Sequence, residues 1–295
     1  MKILLLGKNG QVGWELQRAL APLGTLIALD RHSTSYCGDL SNAEGIAATI
    51  LAIKPDVIVN AAAHTAVDKA ESEPEVAAVL NTTSVAAMAA AAEEVGALLV
   101  HYSTDYVFNG QGEQPWTEAD VTEPLSVYGK TKRDGEEAIA AACSNYLIFR
   151  TSWVYAAKGN NFAKTMLKLA KDREELSVIN DQFGAPTGAD LIADCTAHAI
   201  RKAKGQPQFS GIYHLIASGT TTWHDYASFV ITTGREKGLE LKVNKINPVA
   251  TTAFPTPAKR PANSRLDTAK FQQSFDLTLP DWHDGVERML TEIIG

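Results

Sequence analysis

Five short apolar runs, at 3–6, 25–29, 57–60, 97–103 and 146–150, alternate with longer stretches of helical periodicity at 14–23, 43–54, 75–94 and 126–142. Runs that are apolar throughout fit strands covered on both faces. Strictly alternating strands and helices leave few solutions, and the chief one is a parallel sheet with right-handed crossovers and helices on both sides. The expected fold class is therefore α/β, a doubly wound parallel sheet of the dinucleotide-binding type. No repeat or low-complexity segment interrupts it.

After Arg150 the alternation weakens. Residues 162–170, 188–204 and 223–237 read as helices and 176–179 as a strand. Pro248, Pro255, Pro257 and Pro261 then crowd a stretch that suits a binding loop. We expect a nucleotide-binding domain over 1–151 plus part of 176–215. A smaller, mixed substrate lobe is expected over 152–175 and 216–295.

Gly7, Gly10 and Gly13 fall between the first strand and the first helix, with Gln11 and Val12 among them. Glycines so placed allow a tight turn, close approach of backbone to a pyrophosphate, and close packing of helix on strand. The helix start adds free N–H groups and the positive end of its dipole. Asp30, at the end of the second strand, suits the hydroxyls of an adenosine ribose, and Arg31 beside it suits a 2′-phosphate. NADH and NADPH both remain open. Asp39 and Leu40 end the next short segment, where they could border an adenine or form a simple turn.

Tyr128 and Lys132 stand four residues apart, on one face of the predicted fourth helix. That spacing is common by chance. A phenol near pKa 10 is a poor acid at neutral pH, and a neighbouring ammonium is expected to lower it. The surroundings give the pair meaning. Thr104 follows a buried strand at the carboxyl edge, where open α/β sheets bind ligands. Its hydroxyl is placed to hydrogen-bond a substrate oxygen beside the phenol. Asn60-Ala61-Ala62-Ala63 ends another strand in small residues that let a cofactor lie close.

Composition removes several alternatives. Lys and Arg total 27 against 34 Asp and Glu, a net charge of −7. Nucleic-acid and anionic-membrane surfaces need a dominant basic face, so neither partner is expected. Cys37, Cys143 and Cys195 are widely spaced and form no CxxC pair, which disfavours disulfides and structural zinc. The strand-like start is too short for a signal segment, and the Ala-rich run at 85–92 is short of a membrane span. A reducing cytoplasmic setting is the expectation.

Taken together, Gly7/Gly10/Gly13, Asn60-Ala61-Ala62, Ser103-Thr104 and Tyr128/Lys132 resemble the extended short-chain dehydrogenase/reductase superfamily that acts on nucleotide sugars. Longer stretches sharpen the likeness. They are residues 60–68, 103–108 (Ser-Thr-Asp-Tyr-Val-Phe), 150–155 (Arg-Thr-Ser-Trp-Val-Tyr), 181–187 (Asp-Gln-Phe-Gly-Ala-Pro-Thr) and 260–264 (Arg-Pro-Ala-Asn-Ser). Over nearly the whole chain these look like the dTDP-4-dehydrorhamnose reductase family. The resemblance implies hydride transfer from NADPH or NADH to C4 of a keto sugar, with Tyr128 protonating the developing alkoxide. It further implies cofactor contacts at Gly10, Gln11, Val12, Asp30, Asp39, Leu40, Ala63, His64, Thr65, Tyr102, Tyr128 and Lys132. Substrate contacts are implied at Thr104, Asp105 and Trp153.

Other positions have two readings each. Trp153 suits stacking on a deoxysugar or a plug between lobes. Asn161 suits a substrate contact or a helix N-cap, and Arg260 a diphosphate clamp or a surface charge. Glu15, Asp190 and Asp194 suit solvated helix faces, although enzymes of this kind are known with Mg2+ at a dimer interface and these acids are candidate ligands. A homodimer is accordingly expected. Two other functions stay open: a nucleotide-sugar epimerase of the same superfamily, and a regulatory relative without catalysis. The first usually carries a different stretch where this chain has Asp105-Tyr106-Val107-Phe108, and the second would have lost Tyr128 or Lys132.

Overall fold

The computed structural model describes all 295 residues. β1 (Lys2–Leu6), α1 (Gln11–Leu20), β2 (Thr25–Leu29), α2 (Ala43–Ile53) and β3 (Val57–Asn60) open the chain. α3 (Val67–Ser72), α4 (Pro74–Ala78), α5 (Ser84–Val95), β4 (Leu98–Thr104), α6 (Val127–Ala142) and β5 (Tyr146–Thr151) follow. With β10 (Gly211–His214) these strands form a six-stranded sheet of order β10-β5-β4-β3-β1-β2, every neighbouring pair parallel. The order reverses at β1, so the ends of β1 and β3 open a crevice there.

Alternation along the strands divides the core between two faces. Ile3, Leu5, Val57, Val59, Leu98 and Val100 pack with Leu16 and Leu20 of α1 and with Ile192, Ala199 and Ile200 of α8 (Ala189–Ala203). Leu4, Leu6, Ile58 and Leu99 pack with Ile46 and Ile50 of α2 and Met88 of α5. Both sets are shut off from water, which explains why the strands read as unbroken apolar runs.

The second half runs β6 (Val154–Tyr155), α7 (Phe162–Asp172), β7 (Glu175–Ile179), β8 (Phe183–Gly184), β9 (Thr187–Gly188), α8 (Ala189–Ala203) and β10 (Gly211–His214). It ends with β11 (Thr221–Thr222), α9 (Trp223–Glu236), β12 (Lys245–Val249), α10 (Ala269–Phe275) and α11 (Trp282–Ile294). α8 packs on α1, and β10 extends the main sheet beside β5. α7, α9 and α11 enclose a separate core around Tyr226 and Trp282. β12 pairs only with β7, so Pro248 within it lies on an edge strand, where a missing N–H is tolerated.

Two expectations change. The stretch 75–94 is not one regular helix, because residues Val79–Thr83 form a π-turn between α4 and α5. Asn81 in that turn is fully buried and bonds His64 N (2.8 Å), His64 O (3.1 Å) and Thr131 Oγ1 (3.1 Å). Such a bulge turns a polar side chain inward at a functional edge. The continuous run Pro74–Val95 is also longer than the Ala-rich segment alone, at 22 residues, and is apolar enough to span a bilayer by composition. Met88, Ala89 and Ala92 instead pack it into the sheet core.

Candidate active site

A cleft of about 1050 Å³ runs along the carboxyl edge of the sheet. This matches or exceeds the roughly 300–1,000 Å³ of ordinary small-ligand pockets. Gly7, Gly10, Gln11 and Val12 line one end of it, with Asp30, Arg31, Asp39 and Leu40. Ala63, Thr65 and Tyr102 lie further along, and Thr104, Asp105, Tyr128, Lys132 and Trp153 at the other end. Residues scattered over half the chain thus share one surface.

The glycine turn is built as its spacing demands. Gly7 has φ +83°, and a Cβ there would sit 2.7 Å from Ala62 N. Gly13 lies outside the cleft, where a Cβ would approach Gly7 O to 2.0 Å, so it serves the contact of helix with turn. α1 has Gly10 as its N-cap, which offers no side-chain cap. Its first N–H groups are left for an anion, which fits a dinucleotide pyrophosphate. Asp30 closes β2, accepts from Asn9 Nδ2 (2.5 Å) and His32 N (2.8 Å), and stands 3.7 Å from Lys8 Nζ. The His32 N–H, with Lys8 and Ser33, holds its carboxyl below the usual range. Arg31 Nε lies 3.2 Å from His32 Nε2.

Tyr128 and Lys132 occupy the first turns of α6, whose N-cap Ser126 accepts from Gly129 N at 3.2 Å. Both are buried. The lowering of Tyr128 expected from Lys132 is not what the structure gives. Burial raises the phenol above its ordinary value, and the neighbouring Thr104 hydroxyl only partly offsets this. The physical reason is direction: Lys132 Nζ donates to the Tyr102 carbonyl (2.6 Å) and meets His101 Nε2 (3.0 Å). Burial also pushes Lys132 down to about 8, against the favourable field of Glu136.

Thr104 ends β4. Its hydroxyl donates to Asp105 Oδ1 (3.0 Å) and accepts the Tyr106 N–H (3.2 Å). Asp105 is 1% exposed and burial pushes it up to about 6, while Ser264 and Thr104 pull the other way. Tyr106 lies edge-on to Tyr128 at 5.5 Å.

The remaining predicted positions divide. Trp153 lines the cleft with φ +48° and stacks on Trp223 at 3.6 Å, so it both faces the site and joins the second lobe. Tyr102 contributes its carbonyl, while its hydroxyl turns to Thr196 of α8 (2.8 Å). His64 is outside the cleft lining, tied by its backbone to Asn81. Asn161 caps α7 and reaches Ala156 O (2.7 Å) and Gln11 Oε1 (3.4 Å). Arg260 bonds Asp68 Oδ2 at 2.7 Å. Glu15 lies 3.6 Å from Arg18, Asp190 2.9 Å from Arg288, and Asp194 2.9 Å from Arg18. Within one chain no three metal-binding side chains converge.

Sequence reasoning missed Tyr106, Val67, Val76 and Leu80, all of which line the cleft. Tyr106 and Val67 sit inside stretches already singled out, next to residues chosen in preference to them. Asn81 carried a weaker signal, an amide at an inward position of a predicted helix.

The model of the RmlD substrate binding domain family matches residues 1–294. The dTDP-4-dehydrorhamnose reductase of Escherichia coli K12 is 69% identical over 293 residues, covering 99% of this chain and 98% of its own. A crystal structure of a dTDP-4-dehydrorhamnose reductase from Clostridium acetobutylicum superposes with TM-score 0.88 at 36% identity, covering 99% of each chain. That of Bacillus anthracis, in complex with NADP, does so with TM-score 0.88 at 34% identity over 99% of this chain and 100% of its own. With this likeness running through fold, cleft and sequence alike, the chain belongs to the dTDP-4-dehydrorhamnose reductase family.

Proposed function

We propose that the chain reduces the C4 ketone of dTDP-4-dehydro-L-rhamnose to dTDP-L-rhamnose, a donor for cell-surface polysaccharide, using NADPH or NADH. The observation that carries this is the meeting of Tyr128, Lys132 and Thr104 with an uncapped glycine turn and Asp30 in one cleft. The NADP bound by the Bacillus anthracis relative supports the cofactor. A reduced nicotinamide, when bound, supplies the hydride.

The chain's own residues then handle position and protons. Gln11 and Val12 hold the diphosphate through backbone N–H groups, with Gly10 letting it lie close and its own N–H spent on Gly7 O, and Asp30 takes the adenosine ribose, with Arg31 at hand for a 2′-phosphate. Asp39, Leu40, Ala63 and Thr65 form the cofactor wall. Tyr128, kept protonated by burial, gives its proton to the oxygen that gains charge at C4. Thr104, anchored to Asp105, fixes the phenol. Lys132, against Tyr102 O, holds the nicotinamide ribose. Trp153 offers an apolar face to the deoxysugar, and Arg260 moves from Asp68 to the substrate diphosphate.

The nucleotide-binding unit would comprise residues 1–151 with α8 and β10, and the remainder the substrate lobe, on the grounds of the shared sheet and the separate core. A cytoplasmic homodimer is part of the reading, supported by three free cysteines and the resemblance. Mg2+ at its interface would need Glu15 and Asp190 to exchange their arginine partners for the ion.

Tyr128→Phe tests the acid directly. It is expected to bind cofactor normally and to lose far more than tenfold in turnover, since a positioned acid contributes roughly 10²–10⁴-fold. Turnover within about tenfold of the parent, roughly 1.4 kcal/mol of barrier, would contradict the assignment.

A further inference from the structure

Behind the Tyr128–Lys132 pair, three buried side chains are bonded in an order that fixes where protons sit. Asn60 ends β3 and His101 stands beside it in register on β4, while Lys132 reaches them from α6. Asn60 Oδ1 accepts the Ala62 N–H at 3.1 Å. A backbone N–H can only donate, so this bond settles the orientation of the amide. Asn60 Nδ2 therefore points at His101 Nδ1, 3.1 Å away, and that nitrogen must accept.

A neutral imidazole carries one N–H. His101 is 1% exposed, and burial, then the charge of Lys132, keep it neutral. Its proton consequently lies on Nε2, which faces Lys132 Nζ at 3.0 Å. Lys132 as an ammonium would meet this N–H donor against donor, whereas as an amine it accepts.

We propose that Asn60 and His101 form a positioning device for Lys132, in which Asn60 selects the Nε2–H tautomer and that donor disfavours the ammonium form. The other groups facing Lys132 do not provide this control. Glu136, one turn along α6, favours the ammonium, but it is already bidentate to Arg150 of β5 at 2.9 and 2.6 Å. Tyr128, one turn back, is held neutral by burial. The Tyr102 carbonyl accepts from either form of the lysine. The inference rests on Tyr128 and Lys132 being the proton-handling pair, but its first test needs no turnover.

Nitrogen-15 NMR of histidine-labelled parent protein at neutral pH reads the tautomer. The expected result for His101 is a bare Nδ1 and a protonated Nε2; a protonated Nδ1 overturns the proposal. The Nζ signal of Lys132, identified by its loss in Lys132→Arg, then reports the lysine's titration. Asn60→Ala frees the tautomer, and His101→Gln can turn an oxygen to the lysine. Each is expected to raise the proton affinity of Lys132 about tenfold, although Asn60 does not touch it. A merely structural role would lower Tm in both variants and leave the titration in place, and folded variants with that outcome refute the device. Should the variants not fold, the tautomer of the parent still decides. A parent with the expected tautomer but no keto-sugar turnover would count against the proposed reaction and leave the device standing.

Discussion

Asp105 shows how far burial alone can move a side chain's chemistry. The motif around it was legible as a site, but nothing in six consecutive residues told that its carboxylate is enclosed with Oδ2 unpartnered. Its folded value of about 6 lies above the ordinary 3.8. The native state therefore holds the proton more tightly than the unfolded chain. This contribution to stability is complete below about pH 4 and is lost as pH rises through about 6. Asp105→Asn removes the loss. Denaturant midpoints of the variant should change less than the parent's across that window, by an amount on the order of 2–3 kcal/mol in unfolding free energy. Parallel curves would show that the carboxyl is not strained. The expected effect of Lys132 on Tyr128 failed for a related reason, since helical spacing fixes a shared face but not where a flexible amine points.

Among the elements, the strands were the most legible part of the fold, because a strand covered on both faces has no polar position to disguise it. Short elements with mixed composition were not. β10 covers only Gly211–His214, and the amphipathic α11 was not singled out. The π-turn at Val79–Thr83 was invisible because it is dictated by partners of Asn81 far away in sequence. The same holds for the joint between α6 and β5. Glu136 and Arg150, each 3% exposed, form a bidentate pair there. Phe108 covers the guanidinium at 5.0 Å. Glu136→Gln leaves a buried charge uncompensated and is expected to cost about 3–5 kcal/mol of stability. Urea unfolding measures it, and a cost below about 1 kcal/mol would mean that water reaches Arg150.

At the scale of the molecule, the cleft follows the sheet edge and meets the second core at Trp153. Trp153 leaves the end of β5 and stacks on Trp223 of α9, while the proline-rich loop returns Arg260 to Asp68 in the first turn of α3. That loop was readable as a binding loop from its prolines, but the resting partner of Arg260 was not. Arg260→Ala is expected to raise KM for the nucleotide sugar with little change in kcat. The loss of about 1.5–3 kcal/mol for a charge-assisted hydrogen bond amounts to roughly 10–150-fold in kcat/KM. A fall in kcat at constant KM would instead place Arg260 in the chemical step.

The most direct measurement is the stoichiometry of NADPH consumed against dTDP-4-dehydro-L-rhamnose converted. The account predicts one NADPH oxidised for each sugar reduced, and no consumption above background in Tyr128→Phe. Conversion of the sugar without net loss of NADPH, as an epimerase would give, or undiminished consumption in Tyr128→Phe, would contradict it.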